Sequence, residues 1–205
     1  MDYYTKKYKE YTEKTENIDM TYEQDMFLHY LFSIWLRKKE NKPELINVLD
    51  VGCGSGRDSK RFKELDLSVH LMDESLKMLA LATKRVKPDG VFSLDVRDMD
   101  FVEKYQGVWA CASLLHIPID DMEYAFEKIW RALKFDGIFY FSFKEGKGEI
   151  IDKDNRLFTF LSMTEIDNII NKFNFKVLNS WVNNEFVENG PCINWLNYIV
   201  KKEVV

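Results

Sequence analysis

The chain has 205 residues, 46% of them hydrophobic and 31% charged, the make-up of a single globular domain with a full core. Its formal net charge is -5 and no basic block exceeds a few residues, so a broad nucleic-acid face is not expected. Cys53, Cys111 and Cys192 make neither a disulfide framework nor a C-x-x-C metal pair, which points to free thiols in a reducing cytoplasm and to no metal. The first residues lack the apolar core of a signal peptide, and no apolar run is long enough to span a bilayer, so no membrane partner is expected.

Residues 1–40 read as helical. Tyr4, Tyr8 and Tyr11 recur at spacings of four and three, so they share one helix face, which either packs or covers a ligand. Thr21-Tyr22-Glu23-Gln24 has capping-box spacing and predicts the start of a second helix. Phe27, Leu28, Leu31, Phe32, Trp35 and Leu36 then form an apolar stripe suited to packing on a sheet, and Asn41-Lys42-Pro43 ends it.

Leu45–Val51 is an apolar, β-branched strand that runs into Gly52-Cys53-Gly54-Ser55-Gly56, and a helix is expected over Arg57–Leu65. This strand, turn and helix bring bare main chain and a helix N-terminus beside a ligand. The dinucleotide pattern G-x-G-x-x-G would need glycine where Arg57 stands; the third glycine comes one residue early, giving D-x-G-x-G-x-G from Asp50. Ser68–Met72 is a second strand, and Glu74-Ser75 opens the next helix, completing a right-handed βαβ unit. Asp73, at the strand tip, can accept from two vicinal ribose hydroxyls or cap the helix that follows.

Val91–Leu94 is a third strand, ended by Asp95, a residue that either meets a ligand or is a solvated loop charge; Asp98 and Asp100 read as loop charges. Tyr105–Ala112 is a fourth strand with small residues at its end, Ala110, Cys111 and Ala112. His116 follows; with an ordinary pKa near neutrality it either takes a proton from a nucleophile or orients the local turn. A helix over Asp120–Leu133 leads through Lys134-Phe135-Asp136-Gly137 to a buried strand, Ile138–Phe143. Beyond it come a short excursion around Asp152–Arg156, a capping box at Ser162-Met163-Thr164-Glu165, and two strands, Phe175–Val182 and Asn194–Lys201, joined by a polar stretch over Asn183–Pro191.

Taken together, Leu45 to Lys201 resembles the class I S-adenosylmethionine (SAM) methyltransferases. Asp50–Gly56 matches the family's first motif, Asp95-Val96-Arg97-Asp98-Met99-Asp100-Phe101 its D-x-x-D-L-x-F segment, and His116-Ile117-Pro118 its H-x-P block. Two departures are Gln106 for an aspartate after the aromatic, and Phe135 and Asp136 within L-K-P-G-G. The leader Tyr11…Thr15…Asp19-Met20, the run Gly56-Arg57-Asp58-Ser59 and the run Phe141–Gly146 make the chain similar, more narrowly, to small-molecule methyltransferases of the tellurite-resistance type.

The resemblance implies an α/β fold: a Rossmann-like three-layer αβα sandwich whose seven-stranded, mostly parallel sheet ends in an antiparallel hairpin. It implies residues 1–42 as a helical lid, 43–205 as the cofactor-binding core, SAM as cofactor and S-adenosyl-L-homocysteine as its product. By resemblance, Asp50, Gly52, Cys53, Gly54 and Gly56 meet the cofactor's amino-acid end, with Asp50 either shaping the field or holding the turn. Asp73 meets the sugar, Glu74 is a further cofactor contact, Asp95 meets the adenine amine, Val96 makes the neighbouring backbone contact and Met99 packs there. Ala110, Cys111 and Ala112 leave room for the departing methyl, and His116 is the candidate base. Tyr4, Tyr8, Tyr11, Arg57, Lys144, Arg156 and Trp181 are expected to line the substrate cleft. The implied reaction is in-line methyl transfer to a small molecule; the alternatives are a methyltransferase acting on RNA or protein, and a SAM-binding regulator without turnover. Arg57 opposes a nicotinamide-dependent oxidoreductase.

Overall fold

The computed structural model describes residues 2–35, 45–186 and 192–203. Leu36, the expected helix end at Asn41-Lys42-Pro43 and residues 187–191 of the polar stretch lie outside them.

Three N-terminal helices, α1 (Asp2–Lys6), α2 (Tyr8–Thr15) and α3 (Thr21–Trp35), precede the sheet. The expected first helix is broken at Lys7, whose φ of -107° and ψ of 23° take it out of helical geometry. The expected capping box at Thr21 does not form. The Gln24 N–H bonds the Met20 carbonyl, one residue earlier, while the Asp19 carboxylate accepts from the Thr21 N–H at 2.9 Å. Gln24 instead turns its side-chain amide inward to Asp58, at 3.0 Å.

The sheet comprises β1 (Asn47–Val51), β2 (Ser68–Met72), β3 (Gly90–Phe92), β4 (Tyr105–Ala110), β5 (Leu133–Lys144), β8 (Phe175–Phe186) and β9 (Cys192–Lys202), in the order 3-2-1-4-5-9-8. Strands 1 to 5 pair in parallel; β9 runs antiparallel to both β5 and β8. Helices α4 (Arg57–Glu64), α5 (Leu76–Val86), α6 (Met122–Ala132) and α7 (Met163–Lys172) make the crossovers. A separate hairpin, β6 (Gly148–Ile151) with β7 (Leu157–Phe160), supplies the excursion around residues 152–156. The second capping box does form: Ser162 and Glu165 bond each other's backbone N–H groups.

Both faces of the sheet are buried, as parallel strands require. Along β4 and β5 neighbouring residues enter opposite cores: Val108 and Phe139 pack with Phe126 and Ile129 of α6, while Trp109 and Tyr140 pack with Phe27 and Phe62 of α3 and α4. Trp109 and Tyr140 stack with ring centroids 3.9 Å apart. The expected turn at 134–137 is a bulge inside β5: Tyr105 pairs with Leu133, but Gly107 pairs with Ile138. Asp136, at φ 61°, absorbs the extra length. The strand order reverses between β1 and β4, and in open α/β sheets the crevice at the carboxyl ends of such strands is where ligands bind.

Candidate cofactor and acceptor site

A cavity of about 660 Å³ opens at that crevice, within the range of small-molecule sites. Its floor is the loop after β1, where Gly52 and Gly54 line the wall. Gly52 has φ 68°, and a Cβ there would meet the Ser113 Cβ at 2.4 Å, so the loop after β4 can approach only bare main chain. Gly56, at φ 76°, faces away from the cavity: a Cβ would strike Val86 and Ala82 of α5, so this glycine serves helix packing. The amide donors expected for a ligand are largely spent. Gly52 and Cys53 donate to the Met72 carbonyl at 2.8 and 3.0 Å, Gly54 donates to Asp73 at 2.9 Å, and Gly56 donates to the Cys53 carbonyl.

Asp73 stands at the tip of β2 on the cavity wall, and its neighbour Glu74 joins it there. Its Oδ2 accepts from the Gly54 N–H and its Oδ1 from the Ser75 N–H at 2.8 Å. Each oxygen keeps a lone pair. Burial raises the Asp73 pKa, and the two backbone bonds counter part of the rise. Asp95 and Val96 line the next stretch of wall, but Asp95 is already engaged. Arg97 donates to Asp95 Oδ1 through its backbone N–H and Nε, and to Oδ2 through Nη2 at 2.6 Å. Burial pushes the Asp95 pKa up, yet those bonds outweigh it and hold the carboxyl below the usual range. One Oδ2 lone pair is left. Arg97 also lines the cavity and reaches Asp121 at 2.6 Å.

After β4, Cys111, Ala112 and Ser113 form the wall opposite the glycines. Burial pushes the Cys111 thiol up to about 12, so it is neutral and no nucleophile. Ser113 Oγ is buried and, among the described residues, has no hydrogen-bond partner. Ser113 also lines the cavity wall, though its Oγ itself is covered. Ser113 was missed in the sequence; its one signal is its place in the run of small residues after β4.

The N-terminal helices close the other side. Tyr4 and Tyr11 line the cavity with ring centroids 5.0 Å apart. Tyr8 does not line it, because the break at Lys7 takes it out of the face Tyr4 and Tyr11 share. His116 is fixed at both ring nitrogens. Nδ1 lies 2.7 Å from the Leu157 carbonyl, which can only accept, so Nδ1 carries the proton. Nε2 then accepts from the Tyr4 hydroxyl, also at 2.7 Å. Burial, aided by the Arg156 and Lys144 charges, lowers the His116 pKa to about 4. Arg156 lines the same wall.

Other expected site residues lie elsewhere. Asp50 is buried beneath the turn, accepting from the Ser59 hydroxyl at 2.6 Å; burial and the neighbouring Asp58 push it up to about 8. Cys53, Met99 and Ala110 belong to the packed core. Arg57 is committed to the adjacent Asp58, at 2.9 Å from Nε and 2.8 Å from Nη2, and reaches the Thr15 carbonyl at 3.3 Å. Asp58 also accepts from Trp109 Nε1 at 3.1 Å and from Gln24, which makes it a buried junction rather than a substrate contact. Lys144 spreads over the Phe158 and Trp195 rings, and Trp181 packs against Tyr22 and Tyr140.

Comparison with known proteins agrees with this geometry. Residues 48–137 match the family model described as a methyltransferase domain. A Bacillus subtilis (strain 168) protein named "Putative methyltransferase YqeM" is 28% identical over 124 residues, which cover 57% of this chain and 50% of that protein. The chain thus spans about half the length of that curated relative. Among solved structures, magnesium protoporphyrin IX methyltransferase from Synechocystis PCC 6803, with bound S-adenosylhomocysteine, superimposes with a TM-score of 0.71 at 16% identity, covering 98% of this chain and 97% of that one. The Burkholderia thailandensis 1,6-didemethyltoxoflavin-N1-methyltransferase, with bound 1,6-didemethyltoxoflavin and S-adenosylhomocysteine, gives 0.66 at 20% identity, covering 88% and 87%. Residues 48–137, then, are similar to a methyltransferase domain, and they lie in a Rossmann-like α/β fold.

Proposed function

We propose that the protein is a SAM-dependent methyltransferase acting on a small molecule. The observation that carries this reading is one cavity walled by Gly52, Gly54, Asp73 and Asp95 on the sheet side and by Tyr4, Tyr11 and His116 on the other. The residues fit the cofactor's chemistry. The two free lone pairs of Asp73 suit a vicinal diol, and the remaining one on Asp95 suits an adenine amine. When bound, SAM supplies a methyl carbon activated by a sulfonium, with a neutral thioether as leaving group.

The chain's own residues supply position, exclusion of water and a route for a proton. In this reading α1 and α2 are a lid, and Tyr4 and Tyr11 shield the reacting atoms. Tyr4 and His116 form the relay. As a nucleophile gives its proton to the Tyr4 oxygen, the Tyr4 proton passes to His116 Nε2, while Nδ1–H stays on the Leu157 carbonyl. Such a relay serves a protonated nitrogen or oxygen nucleophile and is superfluous for a soft anion. It therefore weighs against the narrower tellurite-resistance likeness. The acidic overall charge and the limited cavity weigh against bulk RNA or protein.

Calorimetry tests the cofactor reading: SAM and S-adenosylhomocysteine should bind with micromolar affinity, and NAD should not. NAD binding without SAM binding would overturn it. With the cofactor bound, a panel of amines, hydroxy acids, thiols, selenite and tellurite should yield product from an amine or a hydroxyl. No turnover across the panel would favour a regulator.

A further inference from the structure

Charge is divided across the cavity. The sheet side carries Asp73, Glu74 and Asp95 against Arg97 alone. The opposite side carries Lys7, Lys153 and Arg156 against Asp154, with Asp152 just behind the wall. A cationic cofactor suits the first side; the second is built for the opposite sign. Both acids on that second side are spent. Asp154 pairs with Lys7 at 3.0 Å, and Asp152 accepts from the backbone N–H groups of Asp154 and Arg156 as well as from the Arg156 guanidinium.

Arg156 is held by both an acid and two rings. Its Nε and Nη2 both reach Asp152 Oδ2, at 2.9 and 2.7 Å. Its guanidinium carbon lies over the Tyr3 ring at 4.3 Å and over the Phe158 ring at 4.9 Å. Packed on rings and tethered to Asp152, with the Tyr4 hydroxyl beside it, the guanidinium is pre-organised, and its remaining N–H groups recognise planar or tetrahedral anions at little entropic cost. Lys153, exposed at the tip of the same turn, adds a mobile charge at the rim.

We propose that the methyl acceptor is an anionic small molecule, held by its carboxylate or phosphate on Arg156 and Lys153 so that its nucleophile faces the Tyr4–His116 pair. This deepens the methyltransferase reading and rests on it. The test is calorimetric and needs no turnover. Protein saturated with S-adenosylhomocysteine is titrated with benzoate, phenyl phosphate and the neutral benzamide, three matched rings. At least one anion should bind about tenfold more tightly than benzamide, and more weakly as salt is raised. Which of the two binds better distinguishes carboxylate from phosphate. Arg156→Met should weaken the anion about tenfold and Lys153→Met roughly threefold, with the affinity for S-adenosylhomocysteine unchanged. Lys153 is at the surface, so its variant tests the idea even if Arg156→Met unfolds the turn. Benzamide binding as well as the acids, no anion binding at all, or an anion affinity indifferent to both substitutions would overturn the inference. A failure of S-adenosylhomocysteine itself to bind would instead overturn the reading beneath it.

Discussion

The Tyr4 hydroxyl lies 2.7 Å from His116 Nε2, closing a contact between residues 112 apart in sequence. Tyr4 belongs to α1 and His116 to the loop after β4, so one proton-bearing bond joins the cover of the cavity to its wall. Burial raises the Tyr4 phenol and lowers the His116 imidazole, and both groups are uncharged at neutral pH. A neutral imidazole whose Nε2 lone pair already accepts from the phenol is the form a proton relay needs.

Tyr4→Phe keeps the ring and removes only the hydroxyl. With an acceptor identified by the panel above, kcat should fall roughly a hundredfold, while the affinity for SAM changes less than about twofold. The loss in stability should be about 1 kcal/mol by thermal melting. An unchanged kcat would assign the pair to lid closure alone.

His116 also sets an acid limit. Its pKa is depressed to about 4 in the folded chain against about 6.5 unfolded, so below pH 6.5 the unfolded chain takes up a proton that the folded chain refuses. The stability this neutral histidine contributes is complete above pH 6.5 and is lost as pH falls through 4, a change of roughly 3 kcal/mol at most. Melting temperatures measured across that window should fall more steeply for the native protein than for His116→Gln.

Asp50 behaves in the opposite sense. Pushed up to about 8, it holds a proton that the unfolded chain releases near pH 4, so stability falls as pH rises from 4 to 8. Asp50→Asn removes that penalty. The variant should gain stability relative to the native protein at pH 8 and little at pH 4, read from urea midpoints. A uniform loss at both would mean that the Ser59 bond needs a carboxylate.

At Gly52 the obstacle is Ser113. Gly52→Ala places a Cβ where the Ser113 Cβ already sits, at 2.4 Å, and strains φ as well. Binding of S-adenosylhomocysteine should weaken more than about tenfold. Ser113→Gly in the same chain should restore part of it, leaving only the backbone strain; the double variant measured by calorimetry decides the point.

Much of this was legible in the sequence because local rules and tertiary packing agree. The second strand, Ser68–Met72, is where it was expected, and the capping box at Ser162 forms as its spacing predicts. Thr21 and Gln24 have the same kind of spacing, yet a buried Asp58 offers Gln24 a better partner than its own helix does. Gly56 fits a ligand motif but answers to α5 instead. Arg57 is consumed by the acid beside it, and Tyr8 leaves the tyrosine face because Lys7 interrupts the helix. These misses share a cause: a motif specifies which residues stand near one another along the chain, whereas partners arriving from distant segments decide which atoms remain free.

The grip of Arg57 on the Thr15 carbonyl has a practical consequence. It anchors the far end of α2, whereas α1 is tied by separate side-chain bonds, Tyr4 to His116 and Thr5 to Ser75, and the break after it by Lys7 to Asp154. Were the segment to swing, its travel would be greatest at residue 2 and nearly nil at residue 15. A fluorophore on a cysteine introduced at Asp2, with the exposed Cys192 replaced by serine, would then act as an optical gauge of each opening.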